Sequence, residues 1–218
     1  MLVKNWMSTK LFTVDENTSI MNAIKIMKDN SVRRISVMRD EKLVGIVTDR
    51  DLKEASPSKA TSLDIHELYS VLSEIKVKDV MSKDPVTVLP DNTVMKAARI
   101  MLENKISGLP VLGEDGKLVG MITQTDIFKL VVSITGLYHE RVQFALELED
   151  RPGSIKEVED IIRNYGGRVL SILTSHEAQR ENYRQVYLFI RGLVPEKLEV
   201  LEQELRESYN VLYIKAKE

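Results

Sequence analysis

Apolar residues recur three, four and seven positions apart at Ile20, Ala23, Ile24 and Met27, and again at Val94, Ala97, Ala98 and Met101. Asn22, Lys25, Lys96 and Arg99 fall between them, and each stretch predicts an amphipathic helix with one buried stripe. Two short apolar runs follow each helix. In the second instance they are Leu109 to Leu112 and Leu118 to Ile122, joined by Glu114-Asp115-Gly116-Lys117, whose Asp-Gly pair suits the positive φ angles of a hairpin turn. The first instance uses Arg39-Asp40-Glu41-Lys42 at that place. Each hairpin then runs into a helix starting at Thr48 or Thr123. The resulting strand-helix-strand-strand-helix unit has one apolar sheet face and too small a core to stand alone, so two units are expected to pack sheet to sheet.

The two units are copies of each other. Val3-Lys4-Asn5-Trp6-Met7-Ser8 returns as Val77-Lys78-Asp79-Val80-Met81-Ser82, an offset of 74, and Thr13-Val14 returns as Thr87-Val88. After one inserted residue, Gly113, Leu43-Val44-Gly45-Ile46-Val47-Thr48 returns as Leu118-Val119-Gly120-Met121-Ile122-Thr123. The first copy spans residues 1–56 and the second 77–135. Between them, residues 57–76 read as a loop and a linker helix capped by Asp64 and Glu67 and carrying Ile65, Leu68, Leu72 and Ile75.

From Arg141 the pattern changes. Val142, Phe144, Leu146 and Leu148 alternate with polar or small neighbours, as in a half-buried strand. Asp150-Arg151-Pro152-Gly153 turns the chain, Ser154 and Glu157 fit a capping box, and Ile155, Val158, Ile162 and Tyr165 form a helical stripe that Gly166-Gly167 ends. Strands at Arg168 to Ser175 and Arg184 to Arg191, a helix at Pro195 to Glu207 and a last strand at Val211 to Lys215 complete the order βαββαβ over residues 141–218. That order is ferredoxin-like, and the chain as a whole is α+β.

Composition narrows the function. With 43% hydrophobic and 29% charged residues the chain should fold and bury real cores. Lys plus Arg total 31 against 33 for Asp plus Glu without a block of one sign, which predicts neither a nucleic-acid nor a membrane-surface partner. There is no cysteine, so disulfides, thiolate metal sites and cysteine nucleophiles are excluded, in keeping with a cytoplasmic protein. Neither the start of the chain nor the apolar stretch Leu130 to Tyr138 has the length of a signal peptide or a membrane span. His66, His139 and His176 are isolated, and no phosphate-binding glycine loop occurs, so no metal site, catalytic residue or enzymatic activity is expected.

The chemistry-bearing motif occurs twice, as Gly45-Ile46-Val47-Thr48-Asp49-Arg50-Asp51 and Gly120-Met121-Ile122-Thr123-Gln124-Thr125-Asp126. Taken locally, each Thr-x-x-Asp is a helix capping box and nothing more. In its repeated setting, however, the pair resembles the CBS domain family in its two-copy (Bateman) arrangement. The resemblance implies clefts for an adenine nucleotide of the AMP, ADP, ATP or S-adenosylmethionine class. In it Asp51 and Asp126 receive the ribose hydroxyls, Thr48 and Thr123 assist, and the adjacent helix N-terminus faces the phosphate. A carboxylate accepting two neighbouring hydroxyls is sound chemistry. The implied set is Ser8, Thr13, Val32, Arg33, Arg34, Thr48, Arg50 and Asp51 in the first copy. In the second it is Ser82, Thr87, Ile106, Ser107, Gly108, Thr123, Thr125 and Asp126. The copies depart from each other at Ser36, where Pro110 is the usual residue, and at Arg33-Arg34, which offer guanidinium donors to a phosphate.

Residues 141–218 similarly resemble an ACT domain, and Asp150, Pro152, Gly153 and Ser154 match its turn, implying an amino acid or small carboxylate as ligand. In this order the domains are similar to the bacterial acetoin-utilisation accessory proteins, which implies a homodimeric regulatory sensor of small molecules acting on an unknown regulated protein. The alternative is a scaffold whose clefts hold nothing and whose activity is oligomerisation.

Overall fold

The computed structural model describes residues 1–56, 72–136, 142–177 and 180–216. They form two compact units, Met1–Ile127 and Phe128–Glu218. The expected caps Asp64 and Glu67, and with them most of the linker helix, lie outside the described residues, as do His66 and His139.

In the first unit, the first copy supplies β1 (Thr13–Asp15), α1 (Ile20–Asp29), β2 (Arg34–Arg39), β3 (Lys42–Thr48) and α2 (Asp49–Glu54). The second supplies α3 (Val77–Val80), β4 (Ser82–Lys83), α4 (Val94–Glu103), β5 (Gly108–Leu112), β6 (Leu118–Thr123) and α5 (Gln124–Ile134), the last running across the division between units. The helical stripes are buried in part: Ile20, Ala23 and Met27 are buried on α1 and Val94, Ala97 and Met101 on α4, while Ile24 is exposed and Ala98 half-buried at the stripe edges. Ser19 and Thr93 cap these helices, their hydroxyls accepting from the main-chain N–H of Asn22 and Lys96.

The copies exchange their leading segments. β4, from the second copy, pairs antiparallel with β3 of the first, giving a sheet in the order β1-β2-β3-β4. Reciprocally, Ser8 bridges Met121 of β6, with N–H to O distances of 2.9 and 3.0 Å in the two directions. The turns ahead of these strands cross over as well. The N–H groups of Val77 and Lys78 donate to the carbonyls of Thr18 and Glu16, while those of Val3 and Lys4 donate to Asn92 and Pro90. Val77 is fully buried in the core that Val14, Ile20, Ile35, Val37, Val47 and Leu52 form, and Val3 is fully buried too. Each exchanged valine contributes roughly 1.5–3 kcal/mol by leaving water, so neither copy completes its hydrophobic core alone.

The two hairpin turns solve one problem differently. The second passes through Gly116 at φ 75°, as the Asp-Gly pair predicted, whereas the first places Asp40 and Glu41 at φ 45° and 63°. Two successive positive φ angles give the twist a two-residue hairpin needs, at a steric cost for residues with a Cβ.

The second unit has the element order β7 (Val142–Glu149), α6 (Ser154–Asn164), β8 (Arg168–Ser175), β9 (Tyr183–Arg191), α7 (Pro195–Ser208) and β10 (Asn210–Ala216). Its strands form one antiparallel sheet in the order β10-β7-β9-β8. Phe144, Leu146 and Leu148 of β7 and Val186, Leu188 and Ile190 of β9 pack with Val158 and Ile162 of α6 and Leu201 and Leu205 of α7. The expected Ser154–Glu157 capping box does not form. The helix starts with Gly153 at the cap position, φ 90°, so Ser154 is already inside the first turn. Ser154 Oγ donates to the Arg151 carbonyl, and Glu157 turns away to pair with the Arg151 guanidinium at 2.7 Å.

Candidate functional site

In each copy the hairpin delivers a threonine to the end of its second strand and an aspartate one turn into the helix that follows. The Asp51 Oδ2 accepts from Thr48 N–H and Thr48 Oγ1, both at 2.8 Å, while Asp51 N–H donates to Thr48 Oγ1 at 3.3 Å. The second copy repeats this with Asp126 and Thr123 at 2.9, 2.6 and 3.4 Å. The local capping reading is therefore correct as far as it goes. The two capping bonds that each aspartate side chain accepts fall on its Oδ2, and an ionised carboxylate has about four lone-pair directions, so capping and acceptance of ligand hydroxyls are compatible on the same side chain. In the first copy the helix terminus offers a phosphate little, since α2 has only six residues and its Asp49 and Asp51 N–H groups are already bonded to the Arg33 carbonyl and Thr48 Oγ1.

The start of the hairpin's first strand lies beside this constellation. Arg34 pairs with Thr48 and Gly108 with Thr123 across the two ladders. The Asp49 N–H donates to the Arg33 carbonyl at 3.0 Å and the Gln124 N–H to the Ser107 carbonyl at 3.1 Å. Arg33, Arg34, Ser107 and Gly108 are thus brought beside the Thr–Asp pairs. Arg33 and Arg34, though, are separated. Arg33 and Val32 line a pocket of about 230 Å³ with Ile24, Met27, Asp49 and Leu52 on the helix side. Arg34 points to the second copy, where its Nη2 donates to Ser107 Oγ at 2.6 Å. Arg33, just ahead of β2, and Arg34, its first residue, thus serve different places. Burial weakens the Arg34 guanidinium's hold on its proton and the charges of Asp49 and Asp126 strengthen it, the first effect prevailing; an arginine remains ionised nonetheless.

The remaining expected residues are distributed by the exchange. Thr13 stays in its own copy, paired with Ser36, and Val88 beside Thr87 bridges Val111 in the same way. Ser8 and Ser82 instead sit on the opposite copy's last strand, against Met121 and Ile46. Arg50 is spent on its own helix, in an ion pair with Glu54 at 2.9 Å, and Thr125 is exposed. Sequence reasoning missed that Arg34 crosses to the other copy; the paired substitution Arg34 against Gly108 was the available signal.

With this geometry, the comparisons are decisive for the family. A CBS domain model matches residues 3–58 and 77–133, more than half of the 218 residues. The chain belongs to the CBS domain family. A CBS domain-containing protein of Dictyostelium discoideum is 37% identical to this CBS protein over 134 residues, covering 61% of this chain and 92% of the relative. An inosine-5′-monophosphate dehydrogenase of Korarchaeum cryptofilum is 35% identical over 118 residues. That match covers 54% of this chain and 22% of the enzyme, a partial match to its CBS module. Among solved structures, CBSX2 of Arabidopsis thaliana, solved in complex with AMP, is 30% identical with a TM-score of 0.50, covering 61% of this chain and 97% of CBSX2. A CBS domain pair solved with 5′-methylthioadenosine and S-adenosyl-L-methionine is 28% identical with a TM-score of 0.51, covering 61% of this chain and 97% of that pair.

In the second unit, Asp150 is engaged by Arg184 at 3.4 Å and lies 3.5 Å from His176. Of the four residues expected to meet a ligand there, Ser154 lines a pocket of about 370 Å³, together with Glu147, Arg151, Glu157, Arg206 and Tyr209, while Asp150, Pro152 and Gly153 do not. Arg151 holds the Glu157 carboxyl below the usual carboxylate range through their hydrogen bonds. Among the described residues no helix is long and apolar enough to cross a membrane.

Proposed function

We propose that this CBS protein is a regulatory sensor whose two Thr–Asp clefts bind an adenine nucleotide or S-adenosylmethionine and pass the occupancy on to the C-terminal unit. The observation that carries the reading is the pair Thr48–Asp51 and Thr123–Asp126, held in near-identical geometry in two copies. Relatives of the same module solved with AMP and with S-adenosyl-L-methionine support the ligand class. Ribose hydroxyls go to the two aspartates. The C-terminal unit, with its antiparallel βαββαβ order, reads as a ferredoxin-like, ACT-like domain that takes an amino acid or small carboxylate, and the working form is a homodimer. No catalytic step is assigned to any residue.

Binding to the folded state alone raises stability by about 2.7 kcal/mol at a hundredfold excess of ligand over Kd, several degrees in Tm for a chain of this size. A thermal-shift series with AMP, ADP, ATP and S-adenosylmethionine should show such a rise for at least one of them. The Asp51→Asn, Asp126→Asn double variant, which keeps a side-chain oxygen for the cap, should lose it. No shift with any of the four at millimolar concentration would leave the scaffold reading in its place.

A further inference from the structure

Among the described residues of the second unit, Glu147 is the one acidic side chain that is buried, 6% exposed. Its Oε2 accepts from the Asn210 side-chain amide at 3.1 Å, across the β7–β10 ladder that pairs the two residues. That neutral donor is its only side-chain partner among the described residues, and an ionised carboxylate withdrawn from water is costly until a cation meets it. Both residues line the pocket of about 370 Å³, whose walls carry four glutamates and three arginines. The arginines are engaged elsewhere. Arg151 pairs with Glu149 and Glu157 at 3.0 and 2.7 Å, Arg206 pairs with Glu202 at 2.8 Å, and Arg180 lies over the Tyr183 ring at 3.9 Å. Glu207, exposed and lining the same pocket, also meets an amide among the described residues, Gln203 Nε2 at 3.2 Å. Leu148 and Tyr209 add apolar wall between these acids.

We infer that this pocket is a further ligand site, for an aliphatic diamine: one ammonium pairs with Glu147, the other with Glu207, and the methylenes between them lie along Leu148 and Tyr209. The Glu147 carboxylate has more acceptor directions than the Asn210 amide uses, and an ammonium brings three donors and the missing charge. A ligand carboxylate would instead face an excess of acid whose guanidiniums are already engaged. Among the described residues no three acidic or histidine side chains converge as a metal ion requires, so the cation is an organic one. The site stands apart from the nucleotide reading, which concerns the first unit. It also stands apart from the turn, since Asp150, Pro152 and Gly153 do not line it.

Isothermal titration of the full chain with cadaverine, pentylamine and lysine near neutral pH tests it. The expected result is one cadaverine site, with pentylamine weaker by about threefold or more for want of the second ammonium. Lysine is weaker than cadaverine, because its carboxylate meets the acidic lining. Glu147→Gln, which keeps an oxygen for Asn210, lowers cadaverine affinity by about tenfold or more. Glu207→Gln lowers it about threefold and abolishes the advantage over pentylamine, while Asp150→Asn leaves it unchanged. Without ligand, Glu147→Gln melts at or above the parent, since it deletes a buried charge that lacks a cation. A clearly lower Tm would mean that Glu147 already has a cationic partner and overturns the inference. So do an unchanged cadaverine affinity in Glu147→Gln and an absence of cadaverine heat at millimolar concentration. Tighter binding of lysine than of cadaverine also overturns it, in favour of an amino-acid site. None of these outcomes touches the nucleotide reading.

Discussion

The Met7 sulfur sits 2.4 Å from where a Cβ on Gly120 would be, and the Met81 sulfur stands at the same distance from the corresponding point on Gly45. Each methionine comes from the exchanged segment of the opposite copy, so the two glycines are the sockets into which the copies lock. Gly120→Val should therefore destabilise the fold by about 1–3 kcal/mol through overpacking. Shortening the intruding side chain with Met7→Ala in the same molecule should recover part of the loss. Urea unfolding of the two single variants and the double variant measures this; strictly additive losses would mean the sulfur–glycine contact is not what closes the exchange.

Glu16 gives the fold a pH-dependent element. Its carboxyl is held below its ordinary value mainly by the hydrogen bond from Arg39, with further help from the charges of Arg39 and Lys78, against burial and the charge of Asp15. A carboxyl whose folded pKa is depressed adds stability above its unfolded pKa, and that contribution disappears as pH falls through the folded value. Glu16→Gln should therefore be less stable than the parent at pH 7, and the two should converge as the pH drops below the usual carboxylate range. Denaturant midpoints taken across that range give the answer, and a gap that stays constant with pH would contradict it.

The first hairpin turn carries a removable strain. Asp40 and Glu41 both adopt positive φ, where Asn and Gly are at ease. The double substitution Asp40→Asn, Glu41→Gly should raise stability by roughly 0.5–1 kcal/mol, read as a higher Tm with an unchanged circular dichroism spectrum. The same pair of residues introduced at Asp115-Gly116, where the glycine is already in place, should do much less.

Ser36 is the other local irregularity. It is 1% exposed and its Oγ has no partner among the described protein groups, while its N–H donates to the Phe12 carbonyl. Removing the hydroxyl with Ser36→Ala should be neutral or stabilising by about 1 kcal/mol, as chemical denaturation would show. Ser36→Pro, the residue at the matching position 110, should cost stability because it deletes that main-chain donor. A clear loss from the alanine substitution would show that the hydroxyl has a partner after all.

What the sequence determined by itself were the quantities set by short-range spacing. The stripes at Ile20–Met27 and Val94–Met101, the alternation in β7, the Asp-Gly turn and the two Thr-x-x-Asp pairs all follow from periods of 3.6 and 2 or from bonds within four residues. The return of the helical stripe at an offset of 74, and of the Thr-x-x-Asp pair at 75 after the inserted Gly113, revealed the internal duplication and the candidate carboxylates. Only the tertiary structure decided which copy each segment completes. Val3 and Val77 carry the same apolar signal whether they pack at home or on the neighbour, and hydrophobic burial has no direction to tell the two apart. The direction of Arg34 was equally out of reach. Arg33 just ahead of β2 and Arg34 at its start carry the same charge in the sequence, and it took the facing copy, with Gly108 leaving space, to draw one of them onto Ser107.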